Sequence, residues 1–122
     1  MKNVIFIICL LSSTLLQAQD EFIGTYVRAI DQSNFEIIQI TDSLDCYQGL
    51  FIEQVEEQTT KTDANIDCYM DGEDYFFLVI SWEDYEFEIS PLQWDDLGQI
   101  AAFELLPEFE LEEPLIFYRN YQ

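Results

Sequence analysis

The sequence predicts an all-β fold: a single antiparallel meander of about eight strands, closed or half-open as a barrel and carrying one disulfide. Three observations predict it. Short runs rich in β-branched and aromatic residues recur at close spacing, separated by acidic, Gly or Ser turns. Two of the hairpins these runs imply can be paired so that apolar residues share a face. Two cysteines, Cys46 and Cys68, remain once the first segment is set aside, and the same pairing brings them together.

The first segment reads as an export signal. Met1-Lys2-Asn3 is a short basic start, Val4 to Leu16 is an almost unbroken apolar run, and small Ala18 sits where a signal peptidase cuts. The expected division is a cleaved signal peptide over 1–18 and a single barrel domain over 19–122. The apolar run is short for a membrane span, and Ile8 before Cys9 does not fit a lipoprotein acylation site. A secreted or periplasmic protein follows, with no membrane insertion after cleavage. About a hundred residues remain, enough for one domain with a modest core that a covalent staple would help.

Candidate strands run in order over Phe22 to Ile30, Phe35 to Thr41, Cys46 to Val55, Thr60 to Met70, Tyr75 to Trp82, Tyr85 to Ser90, Gln99 to Leu106 and Pro114 to Arg119. Folding the third and fourth about Glu57 sets Cys46 against Cys68, Gln48 against Ile66, Leu50 against Ala64 and Ile52 against Thr62 on one mostly apolar face. Glu53 then meets Lys61, and Phe51 meets Asp63, on the other. The next hairpin folds at Glu83-Asp84, pairing Trp82 with Tyr85, Ile80 with Phe87 and Leu78 with Ile89, while Glu86 and Glu88 face water. Between these hairpins Asp71-Gly72-Glu73 makes a three-residue turn that keeps Cys68 and Phe76 on one face. Ile100 to Leu106 fits either a strand or a helical turn, because Ala101, Ala102, Glu104, Leu105 and Leu106 favour helix.

In an oxidising exported compartment, Cys46 and Cys68 read as a structural disulfide; they lack the Cys-x-x-Cys spacing of a redox pair. The chain has no histidine, which removes Ser/His/Asp and Cys/His nucleophilic machinery and histidine-based zinc sites. No enzyme activity and no cofactor are expected. All 25 acids lie beyond Gln19, against Arg28, Lys61 and Arg119. The exported part therefore carries a side-chain charge of about −22, which repels nucleic acid and anionic lipid and attracts a basic protein or divalent cations. Asp63, Asn65, Asp67, Asp71 and Asp74 fall at positions 1, 3, 5, 9 and 12 of a calcium-loop pattern similar to an EF-hand or dockerin loop. The sharp-turn glycine is replaced there by Cys68 and the terminal Glu by Asp74. The same acids are the outward positions of a predicted strand, so no metal site is favoured.

Phe22-Ile23-Gly24-Thr25-Tyr26 resembles the G-x-W first strand of calycins, the lipocalins and their relatives, with Tyr26 at the aromatic position. That resemblance implies a meander closed into a barrel, with Arg119 at the end of the last strand packing across the first-strand aromatic, so Gly24, Tyr26 and Arg119 form a structural closure. It also implies a non-enzymatic binding module for a small apolar ligand or surface component, its ligand-binding residues unspecified. Charge suggests instead an acidic inhibitor or immunity protein that blocks a basic secreted enzyme. The Asp63 to Asp74 stretch suggests a calcium-dependent structural module.

Overall fold

The computed structural model describes residues 21–44, 46–71, 75–107 and 114–121. The expected signal peptide lies outside them. Among the described residues eight strands follow in chain order: β1 (Gly24–Ala29), β2 (Asn34–Asp42), β3 (Tyr47–Val55), β4 (Gln58–Asp71), β5 (Tyr75–Trp82), β6 (Tyr85–Trp94), β7 (Ile100–Pro107) and β8 (Leu115–Arg119). Each pairs antiparallel with the next, and β8 returns to β1, so the meander closes into a barrel. No helix among the described residues is long and apolar enough to cross a membrane.

Alternation along the strands sends one side chain of every two into the interior. Tyr26, Ile38, Phe51, Ile66, Leu78, Ile80, Phe87, Ile89, Phe103, Leu105 and Phe117 meet there and are almost wholly buried. Gly49 faces inward too; a Cβ on it would come within 3.1 Å of the Ile66 side chain, so the missing side chain makes room for Ile66 and Ala64. Eight strands give an interior just wide enough for side chains to fill, and here the inward chains occupy it.

The β5–β6 hairpin has the expected pairs: Leu78 with Ile89, Ile80 with Phe87, Trp82 with Tyr85. Residues 100–107 form a strand, which settles the ambiguity there. Strand β6 runs beyond Ser90 through Pro91 to Trp94, with register irregularities against β7 between Pro91 and Trp94. Bulged strands accept a proline without losing a ladder bond.

The β3–β4 register departs from expectation by one residue. Gly49 pairs with Ala64, Phe51 with Thr62, Ile52 with Lys61 and Val55 with Gln58. Phe51 therefore points into the core and Leu50 and Ile52 point out, the reverse of the predicted face. The cause is a tight two-residue turn, Glu56-Glu57, whose first residue takes a left-handed φ of 56°. Because side chains alternate with period two, a slip of one exchanges the faces of β3. Cys46 lies just before β3 rather than in the ladder, and from there it still reaches Cys68, with Cα atoms 5.9 Å apart in the disulfide. On the other side of β4, Cys68 pairs with Leu78 rather than Phe76, a shift of two that leaves the faces unchanged. The Gly72 turn lies outside the described residues.

Glu83, at φ 54°, also occupies a left-handed turn position that favours glycine. Relief of that backbone cost, less the entropy glycine gives the unfolded chain, makes Glu83→Gly stabilising by up to about 1 kcal/mol. Urea denaturation should show a higher midpoint at constant slope; an unchanged or lower midpoint contradicts this account. Replacing Cys46 and Cys68 together by serine should lower stability by about 3 kcal/mol, the chain-entropy value for a loop of this size. The same measurement reads that loss.

Candidate functional site

The two ends of the barrel differ in construction. At one end β1 begins, β8 finishes and the chain from Glu21 to Ile23 folds across the opening. Phe22 is buried there, its ring 5.8 Å from that of Tyr47. The structure brings Gly24, Tyr26 and Arg119 together at this point. Arg119 donates from Nε to the Ile100 carbonyl (2.6 Å), from Nη1 to the Ile23 carbonyl (2.7 Å), and from Nη2 to the Glu21 carbonyl (3.1 Å) and the Tyr26 hydroxyl (2.7 Å). Its guanidinium carbon lies 4.9 Å from the Tyr26 ring centroid. The Tyr26 hydroxyl in turn donates to the Phe22 carbonyl at 2.6 Å. Burial raises the Tyr26 pKa well above the usual phenol value, against the opposing pull of Arg119, so the hydroxyl stays protonated and able to donate. A Cβ on Gly24 would lie 2.1 Å from Arg119 Nη1, so only glycine admits the guanidinium.

The opposite end is where the β1–β2, β3–β4 and β5–β6 turns gather. Just inside it, Phe51 stacks on Trp82 with centroids 4.3 Å apart, and Phe87 lies 5.3 Å from Trp82. Tyr85, stacked against Phe87, is half exposed at the rim. Arg28 on β1 forms an ion pair with Glu36, its cross-strand partner on β2. Their positions follow those of inward Tyr26 and Ile38, which places the pair at the mouth. The rim is acidic: Asp31, Glu53, Glu56, Glu57, Glu83 and Asp84 are all exposed.

Two of the turns here are tied to each other. Asp31 accepts from the backbone N–H groups of Ser33 and Asn34 and from Asn34 Nδ2, and these bonds hold its carboxyl below the usual range. The Glu56 N–H donates to the Ser33 carbonyl (3.1 Å) and to Asn34 Oδ1 (3.2 Å). Between these hairpin tips lies an open groove of about 720 Å³, walled by Phe35 and Val55 and edged by Gln32, Gln54, Glu56 and Glu57. Asp95, in the β6–β7 loop, has the same capping role as Asp31. Partial desolvation pushes its pKa up, but bonds from Gln99, Tyr121 and Leu97 more than offset this and leave it lowered.

Asp63, Asn65 and Asp67 occupy successive outward positions on β4 and are exposed. An extended strand spaces such residues roughly 7 Å apart in a row, along one face rather than in a loop around one ion. Asp71 ends β4, and Asp74 lies outside the described residues. Among the described residues no group of three or more Cys, Asp or Glu side chains is arranged to hold a metal ion.

The cations are distributed unevenly. Arg119 is committed to the closed end and Arg28 to Glu36; among the described residues Lys61 is the exposed cation. The outer surface is therefore acidic with almost no compensation. Reasoning from sequence found the closure residues but missed the Arg28–Glu36 pair and the groove. The signal for the pair was the Asp31–Asn34 turn, whose bonds fix the register that sets Arg28 opposite Glu36. No protein-family model matches this chain, and no curated protein or solved structure resembles it significantly.

Arg119→Lys keeps the charge but loses the guanidinium fork, leaving the part-buried carbonyls of Ile23 and Ile100 short of a donor. The expected loss is about 2 kcal/mol or more in urea denaturation. Gly24→Ala should cost at least as much by displacing the same group. A loss under about 0.5 kcal/mol for both, the range of an ordinary surface change, contradicts the closure.

Proposed function

We propose that this chain is an exported, non-enzymatic binding module of calycin-like build that engages a cationic protein through the outside of its barrel. Inhibition of a basic secreted enzyme is the use that best fits such a partner. The observation that carries the reading is the segregation of charge: two of the three cations beyond the signal region are used within the fold, and the acids are left on the surface. Such a surface raises the encounter rate with a positive partner and repels nucleic acid and anionic membranes. The disulfide supports an oxidising compartment. The absence of histidine supports a non-catalytic role.

The small apolar ligand of a hollow calycin barrel has less support, because the inward chains pack against one another and would have to move to admit it. A calcium-dependent module has less support still, given the extended course of β4.

Capture on the immobilised protein from the exported fraction of its native cells tests the proposal. The expected catch is a basic protein that binds saturably, is retained at low salt and is released as ionic strength passes ~0.15 M, where the Debye length falls to about 8 Å. Failure to retain any basic protein, or retention indifferent to salt, counts against it. Salt-insensitive binding of a fluorescent fatty acid would favour the hollow-barrel reading instead.

A further inference from the structure

We infer that the cationic partner is gripped at the groove between the β1–β2 and β3–β4 hairpin tips, which takes the side chain of a lysine or arginine. The inference rests on the function proposed above and adds to it the place and chemistry of contact.

Three features mark the groove. It is concave, at about 720 Å³, and it joins two hairpins that are cross-braced by the Glu56 N–H bonds to Ser33 and Asn34. Its lining includes half-buried Phe35 and exposed Val55. Long cationic side chains lay their methylene stems on such apolar surface and hold the charged head at its edge. The charge complement is also present, in the carboxylates of Glu56 and Glu57.

Hydrogen-bonding capacity points the same way. Three backbone donors of this region are spent internally: Ser33 and Asn34 donate to Asp31, and Glu56 donates to Ser33 and Asn34. The groups left at the edge are the two carboxylates, which only accept, and the side-chain amides of Gln32 and Gln54, which can turn their oxygens to a donor. A ligand that fits must bring donors, a positive charge and an aliphatic stem. Lysine and arginine carry all three.

The test uses tetralysine as the probe. The uniformly ¹⁵N-labelled protein is titrated with this peptide at low salt, and the amide shifts are followed. Shifts should concentrate on residues 32–35 and 54–58. The double variant Glu56→Gln/Glu57→Gln should bind tetralysine on the order of tenfold more weakly than Glu83→Gln/Asp84→Gln, which removes the same charge from the neighbouring turn. Unchanged spectra elsewhere in each variant establish that it is folded. Shifts spread equally over Glu83–Asp84 and Asp95–Asp96, or equal losses in the two variants, overturn the groove while leaving a cationic partner in place. No shifts at low salt overturn the cationic-partner reading along with it.

Discussion

The barrel closes along a short seam, and one guanidinium completes it. Strand β8 meets β1 through two residue pairs, Tyr26 with Arg119 and Val27 with Tyr118, and Asn120 adds a bond from its N–H to the Thr25 carbonyl at 2.8 Å. The β2–β3 ladder, by comparison, runs through nine pairs. A seam this short would leave the Ile23 carbonyl at the closed end without its ladder bond, and the Glu21 carbonyl short of a second bond beyond the one it accepts from the Ile100 N–H at 2.9 Å. Arg119 supplies those bonds and also reaches the Ile100 carbonyl of β7, so one side chain joins the chain's approach to β1 with β7 and β8. Closure matters beyond local stability, because an open sheet would present unpaired edges to other chains.

That use of Arg119 shapes the remainder of the surface. With Arg119 at the seam and Arg28 against Glu36, most of the positive charge beyond residue 20 is removed from the outside. The acids repel one another across a small body, which opposes compaction. The filled apolar interior and the disulfide offset that repulsion. On the proposed function, a barrel whose inward side chains pack against one another would carry its contacts on loops and strand faces. Rigid scaffolds commonly carry their binding residues on such turns.

Much of this fold was legible because its signals are local. Strand positions followed from β-branched and aromatic runs, and the β5–β6 register followed from a two-residue turn with apolar residues in matching positions on both arms. Gly24, Tyr26 and Arg119 were legible through resemblance, although the residues that meet lie at opposite ends of the chain. The β3–β4 register was misread for a physical reason. Strand β3 has apolar residues on both faces: Gly49 and Phe51 inward, Leu50 and Ile52 outward, with Ile52 only 8% exposed. Alternation therefore did not choose between registers. The cysteines seemed to choose, but a disulfide tolerates an offset that a ladder does not. The groove was illegible because it depends on two turns more than twenty residues apart, joined by bonds from a backbone N–H.

The outward apolar residues of β3 bear on the site as well. Val27, Ile37 and Ile52 are cross-strand neighbours, and the row continues to Tyr118 on one side and to Lys61 on the other. Lys61, the cross-strand partner of Ile52, ends the row on the β4 side as the exposed cation among the described residues. Phe35, two residues from Ile37 on the same face of β2, lies toward the hairpin tip, where the apolar outer surface reaches the acidic rim. A cationic side chain seated there would cover apolar surface and neutralise charge in one step. On the proposed function, binding and stability are then coupled, since a partner that relieves the repulsion of the folded form favours that form over the unfolded chain.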